Sequence, residues 1–212
     1  MNKYKIAYQK AEEVLQLIKE NGSIGVFVPL NDIISAVKKV SGFSKIVVER
    51  SSFKDLRIPG EEKDSPQFGA MLSTETSNTN GTIEKHAELL INSDYEPNMQ
   101  RFSLVHELGH LVTNVPNFTY EKADDNQYTI SAHINPDITY ISTIDEDDGY
   151  LIAEQIANIF ALLVLVPQDI KIRDLKEIGA SELANKYGVT EDAIYSRMLL
   201  SSANRSYYGW VR

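Results

Sequence analysis

The chain has 212 residues, of which 42% are hydrophobic and 24% are charged, as is usual for a globular protein with a buried core. Its net charge of −9 argues against a general nucleic-acid binder, because phosphate contacts require clustered lysine and arginine. Cysteine is absent, which excludes disulfide bonds and cysteine-based zinc sites and fits a reducing compartment.

Neither a signal peptide nor a membrane span is expected. The first residues lead into an amphipathic segment rather than into the continuous apolar core of a signal peptide. The most apolar run, Ile159–Val166, is too short to cross a bilayer. The sequence therefore predicts a cytoplasmic protein with no membrane partner, and it does not indicate an oligomeric state.

The N-terminal part predicts two helices followed by the first strand. Apolar residues at helical spacing predict a helix over 3–20, with Asn21-Gly22 as the stop signal. Pro29 and Asn31 open a second helix that runs to about Val40 and ends at Ser41-Gly42. The β-branched run Lys45–Arg50 predicts a strand.

Two further strands with polar connections are predicted next. The turn-rich segment 51–67 is expected to form a loop. Phe68–Ser73 and His86–Asn92 are expected to be strands. Thr74–Thr82, rich in Thr, Asn and Ser, is expected to form a hairpin tip or longer loop between them.

A helix with an unusual polar motif follows, from Asn98 as N-cap to about Thr113. Gly109 within it costs about 1 kcal/mol relative to alanine. Its presence predicts that another element passes close to the helix at that point.

The segment 114–149 predicts two short strands, Gln127–Ile134 and Thr139–Ile144, and then an acidic cluster, Asp145–Asp148. We interpret this cluster as a solvated loop whose Asp147 or Asp148 caps an apolar helix over 150–166, in preference to a calcium site.

Three short helices are predicted after Pro167: Gln168–Ile178, Ser181–Tyr187 and Thr190–Leu200. The last two resemble a helix-turn-helix with Gly188 at the turn. Glu191 and Asp192 occupy the turn that would meet DNA phosphates, which they would repel. We therefore interpret the unit as a helical packing unit or partner surface rather than as a unit that binds DNA directly.

These elements predict an α+β fold in one domain, 1–212: a small mixed or antiparallel sheet packed on helices. N-terminal helices and the first strand occupy 1–50, and a helical C-terminal part occupies 168–212.

The polar motif is His106-Glu107-x-x-His110. Residues four apart lie on one face of a helix, so both histidines can bind a single ion. Two neutral imidazoles suit Zn²⁺, and Glu107 is placed to reach a water on that ion without binding it. The motif predicts one catalytic zinc.

A catalytic zinc usually takes three protein ligands. No third histidine follows at the spacing found in third-histidine zincins, and His86 and His133 have no ligand spacing to each other. Glu154 is the better candidate, because a carboxylate within an apolar helix is costly unless it is paired or metal-bound. Asn158 lies one turn further on the same face, where its oxygen could accept the free ring N–H of a ligand histidine.

Three segments together resemble the ImmA/IrrE family of metallopeptidases: Arg101–His110, then Glu154-x-x-Ala157-Asn158-x-Phe160-Ala161, then Leu163-x-Leu165-Val166-Pro167. The resemblance covers about residues 90–200. It implies a compact zincin-like, gluzincin-like peptidase domain with His106, His110 and Glu154 as zinc ligands and Glu107 as general base. Members of that family are bacterial or mobile-element proteins, and several of them cleave helix-turn-helix repressors and so induce silenced genes.

Two functions follow as hypotheses. The first is a zinc endopeptidase that cleaves a protein partner, a helix-turn-helix repressor, and so derepresses phage, mobile-element or stress genes. The alternative is a non-proteolytic antirepressor that binds and inactivates a repressor and uses zinc only structurally. For the peptidase, a further donor should stabilise the oxyanion. The sequence offers four candidates and does not choose among them: Tyr128, His133, Tyr140 and Tyr150.

Overall fold

The computed structural model describes residues 5–22, 25–53, 69–77, 83–113 and 149–208. Within these ranges, side chains are described for 5–22, 25–53, 84–113 and 153–201. The helices are α1 (Lys5–Glu20), α2 (Leu30–Ser41), α3 (Pro97–Thr113), α4 (Gly149–Leu165), α5 (Ile172–Glu177), α6 (Ala180–Tyr187) and α7 (Glu191–Tyr208). The strands are β1 (Lys45–Ser51), β2 (Gly69–Ser77) and β3 (Ile83–Asn92). The expected α+β class is confirmed.

The three strands form one mixed sheet in the order β1-β3-β2. β1 runs parallel to β3, with Lys45 opposite His86 and Ser51 opposite Asn92. β2 runs antiparallel to β3, from Gly69 opposite Ile91 to Ser77 opposite Ile83. The parallel β1–β3 pair is possible because β2 and its flanking segments give the chain enough length to cross back.

The core is built around α3, which packs against α4, α2, α1 and the sheet. Every residue from Arg101 to Gly109 is buried, including the polar ones. α1 presents one apolar stripe to this core, made of Ala7, Ala11, Val14 and Ile18. A helix enclosed on all sides needs partners for each of its polar side chains, and those partners define the site described below.

Local stop signals predicted from the sequence are confirmed. Gly22, Gly42 and Gly188 all have positive φ angles, at 86°, 75° and 63°, as expected at the ends of α1, α2 and α6. Thr190 caps α7, since its Oγ1 accepts from the amide of Ala193 at 3.3 Å.

Several predicted boundaries were wrong, among them the start of β3, which lies at Ile83 rather than at His86. Thr74–Ser77 belong to β2 rather than to a loop, because they pair with the first residues of β3. The helix predicted over Gln168–Ile178 is shorter, since it begins only after Lys171, whose amide donates to Asp174 at 2.8 Å. α7 continues past Leu200 to Tyr208. Asn98 lies inside α3 and is not its N-cap.

Several predictions fall outside the described residues: the start of the first helix, Phe68, most of the loops 51–67 and 74–82, both strands within 114–149, and the acidic cluster Asp145–Asp148. In the part of the chain that the structure describes, no helix is long and apolar enough to cross a membrane.

Candidate metal centre

α3 and α4 approach each other closely at Gly109, as its position predicted. A Cβ built on Gly109 would lie 3.0 Å from Cδ1 of Phe160 and 3.1 Å from Cα of Ala157. Any side chain there would push the two helices apart. This contact brings the histidines of α3 level with the polar residues of α4.

His106, His110 and Glu154 meet at one point. The Nε2 atoms of the two histidines are 3.0 Å apart. The carboxylate of Glu154 faces both, with Oε2 3.1 Å from Nε2 of His106 and Oε1 3.1 Å from Nε2 of His110. One ligand atom from each residue lies within 4.8 Å of the others. The group is therefore close enough to bind one metal ion.

The chemistry of this group fits a metal. Nδ1 of His106 lies 2.8 Å from the side-chain oxygen of Asn158. An amide oxygen only accepts hydrogen bonds, so Nδ1 carries the hydrogen and Nε2 of the neutral ring offers its lone pair to the centre. Two imidazole nitrogens and a carboxylate are a common zinc ligand set, and tetrahedral ligands at about 2.1 Å from zinc are about 3.4 Å apart.

The charges of the centre are strongly coupled in the metal-free protein. Burial lowers the pKa of His106, but the hydrogen bond and charge of Glu154 outweigh burial and raise it above its usual value. Burial raises the pKa of Glu154, yet the hydrogen bonds and charges of His106 and His110 bring it down to about 2. The carboxylate is therefore ionised and available as a ligand at neutral pH.

Glu107 lies beside the ligands but outside the ligand group. It is 3% exposed, and its pKa is raised by burial, against the lowering effect of His106 and His110. A buried carboxyl with a raised pKa next to a metal-binding group is suited to accept and return a proton.

None of the predicted oxyanion candidates has a described side chain. Tyr128, His133 and Tyr140 lie outside the described residues, and Tyr150 is described only as backbone in the first turn of α4. His86 lies in β3, with its Nε2 3.4 Å from Oε2 of Glu84, apart from the ligand group of the described residues. The four oxyanion candidates therefore stay predictions.

Arg101 is a buried charged residue for which the sequence predicted no role. Arg101 of α3 is 7% exposed and donates to the carbonyl of Val28. Its guanidinium carbon lies 4.0 Å from the ring centroid of Phe27. The sequence does place this arginine next to the apolar run of a buried helix. That pattern does not reveal which residues contact the guanidinium.

A two-histidine helix packed beside a glutamate-bearing helix marks the chain as a metallopeptidase-like protein. The family model described as the IrrE N-terminal-like domain matches residues 59–199, about two thirds of the chain. The chain therefore belongs to this family, and the resemblance to ImmA/IrrE metallopeptidases is confirmed. A search of curated proteins found no match.

Proposed function

We propose that the chain is a zinc-dependent endopeptidase that cleaves a protein partner. The observation that carries this proposal is the convergence of His106, His110 and Glu154 at one point with the buried carboxyl of Glu107 beside them. His106, His110 and Glu154 would hold the zinc, and Glu107 would be the general base. Asn158 would orient His106 through the 2.8 Å contact with Nδ1.

The catalytic roles follow from these positions. When bound, zinc supplies Lewis-acid activation of a water molecule and of the peptide carbonyl. Glu107 accepts the proton that the water loses, and the same carboxyl then delivers this proton to the leaving amine. Burial of Glu107 suits both transfers, because its raised pKa keeps the protonated form accessible.

The ligand number favours a catalytic zinc over a structural one. Structural zinc sites are almost always closed by four protein ligands, whereas catalytic sites use three and leave a position open. Among the described residues, the ligand group consists of two histidines and one glutamate. A non-proteolytic regulator with structural zinc is therefore the weaker candidate.

The proposed substrate is a helix-turn-helix transcriptional repressor, whose cleavage would derepress phage, mobile-element or stress genes. The support is the family, several members of which cleave such repressors. The α6–α7 unit of this chain is proposed to be a packing unit rather than a DNA reader, since most of its apolar side chains are buried in the core, among them Leu183, Tyr187 and Ile194.

The test uses the purified, zinc-loaded chain with a helix-turn-helix repressor encoded beside its gene, and fragments are identified by mass spectrometry. We expect cleavage that a zinc chelator abolishes. Glu107→Gln should retain stoichiometric zinc and lose at least about 100-fold in rate. An unchanged cleavage rate in Glu107→Gln would refute the assigned mechanism. Derepression in cells that survives Glu107→Gln, without detectable cleavage, would instead support the non-proteolytic regulator.

A further inference from the structure

Arg101 is a buried cation that the proposed chemistry does not use. None of the ion pairs in the described part of the chain gives it a carboxylate partner. Its Nε is buried and has no hydrogen-bond acceptor among the described residues. Burial lowers the pKa of Arg101 to about 10, which leaves it charged at neutral pH. A buried charge without a counter-ion is costly, so stability alone does not explain the arginine.

The guanidinium joins three separate segments. It donates to the carbonyl of Val28 and lies against the ring of Phe27, both in the connection between α1 and α2. The turn between α6 and α7 also lies against the guanidinium and the ring of Phe27. A Cβ built on Gly188 would lie 2.6 Å from Cε2 of Phe27 and 3.4 Å from Nε of Arg101. Asn98, one turn earlier on α3, donates to the carbonyl of Val189 at 3.1 Å.

These contacts lie on the side of α3 that faces away from the ligands. At about 100° per residue, Arg101 projects about 140° from His106 and about 180° from His110. On one side, α3 contacts α4 at Gly109, and its histidines face Glu154. On the opposite side, Arg101 of α3 contacts a support made of Phe27, Val28 and the turn at Gly188.

We infer that Arg101 is a positioning residue for the metal centre: its guanidinium, held by Val28 and Phe27 and enclosed by Gly188, keeps the histidines of α3 at ligand distance from Glu154. This inference rests on the proposed metal site. Metal geometry makes the effect measurable, because zinc–ligand distances vary by only about 0.2 Å, so that a small shift of α3 relative to α4 weakens the bonds to the ion.

The experiment measures the zinc dissociation constant of the folded full-length chain by competition with a chromophoric chelator, together with the absorption spectrum of the Co²⁺-loaded protein. Arg101→Met removes the charge and keeps the length of the side chain. We expect zinc affinity to fall at least about tenfold and the Co²⁺ bands to shift. The melting temperature of the metal-free protein should change by less than about 4 °C, because removing a buried charge that has no ion-pair partner among the described residues offsets the lost contacts.

Two conservative changes extend the test. Arg101→Lys keeps the charge but not the flat face that lies against Phe27, so we expect an intermediate affinity. Phe27→Leu removes the aromatic ring that the guanidinium of Arg101 lies against. Phe27 is 49% exposed, so its replacement leaves the core intact. It should weaken zinc binding in the same direction as Arg101→Met.

Leu200→Ala is the matched control, since it truncates a core side chain of α7 that is 8% exposed. It should lower the melting temperature and leave zinc affinity within about twofold. Zinc affinity equal to wild type in Arg101→Met and Phe27→Leu would overturn the inference. A loss in Leu200→Ala as large as in those two variants would also overturn it, since general destabilisation would then explain the effect. Failure of the wild type to bind zinc would instead refute the proposed metal site.

Discussion

Asn158 of α4 holds His106 of α3 by its outer ring nitrogen, with 2.8 Å between Oδ1 and Nδ1. Glu154, one turn earlier on α4, faces Nε2 of the same ring at 3.1 Å. One helix thus contacts both nitrogens of the histidine and fixes the position of the ring between them. α4 therefore sets the orientation of His106.

Asn158→Ala should therefore weaken zinc binding by about 10–100-fold, because His106 loses the acceptor that fixes its tautomer and ring orientation. Zinc affinity measured by chelator competition checks this. Asn158→Asp keeps an acceptor and should bind zinc more tightly than Asn158→Ala. Asn185→Ala removes an exposed amide from α6 and serves as control. Equal zinc affinity in wild type and Asn158→Ala would show that the contact does not support the ligand.

Glu154→Ala should abolish stoichiometric zinc binding, because it leaves two ligands where a catalytic site needs three. Elemental analysis of the purified variant beside wild type measures this directly. Glu182→Ala, which removes an exposed carboxylate from α6, should keep its zinc. Full zinc content in Glu154→Ala would refute Glu154 as the third ligand.

The stabilisation of the protein by zinc should grow as pH rises from about 5.5 to 7.5. The raised pKa of His106 means that its ion pair with Glu154 stabilises the metal-free fold fully below the unfolded pKa of 6.5, and that this stabilisation is lost as pH rises through the folded pKa. Zinc requires the deprotonated ring, so it competes with that proton at low pH and not at high pH.

Melting temperatures with and without zinc across this range test the prediction. Glu154 adds a second pH dependence, because its pKa is about 2 in the folded protein. Its contribution to the stability of the metal-free fold is fully present above the unfolded pKa of 4.5 and is lost as pH falls from there towards 2. A zinc-induced shift in melting temperature that stays constant or falls between pH 5.5 and 7.5 would contradict the assignment of His106 as a ligand.

Local patterns predicted much of the fold and the centre. The spacing of His106 and His110 is a property of one helix, and the glycines that end α1, α2 and α6 act through their own backbone angles. Features that depend on distant segments were not predictable. The extension of β2 comes from pairing with β3, and the contact of Arg101 with Val28 joins residues 73 positions apart. No periodicity in the sequence encodes such partners.

Gly109→Ala tests whether helix propensity or the packing of α3 against α4 has the larger effect on stability. Within an isolated helix, alanine would be favoured over glycine by about 1 kcal/mol. In the folded chain the new methyl group would lie 3.0 Å from Cδ1 of Phe160, 3.1 Å from Cα of Ala157 and 3.2 Å from the carbonyl oxygen of Ala157. Phe160 is fully buried and the backbone of α4 cannot yield as a flexible side chain can, so the two helices must separate. Overpacking of this kind costs about 1–3 kcal/mol and should exceed the gain in helix propensity.

The same separation should weaken zinc binding in Gly109→Ala, since His106 and His110 lie on α3 and Glu154 on α4. Phe160→Leu in the Gly109→Ala background should restore only part of the stability, because the backbone of Ala157 still meets the methyl group. Chemical denaturation of the metal-free proteins gives the free energies of unfolding, and chelator competition gives the zinc affinities. A gain of stability in Gly109→Ala, with zinc affinity unchanged, would show that α3 and α4 have room between them and that the centre tolerates their movement.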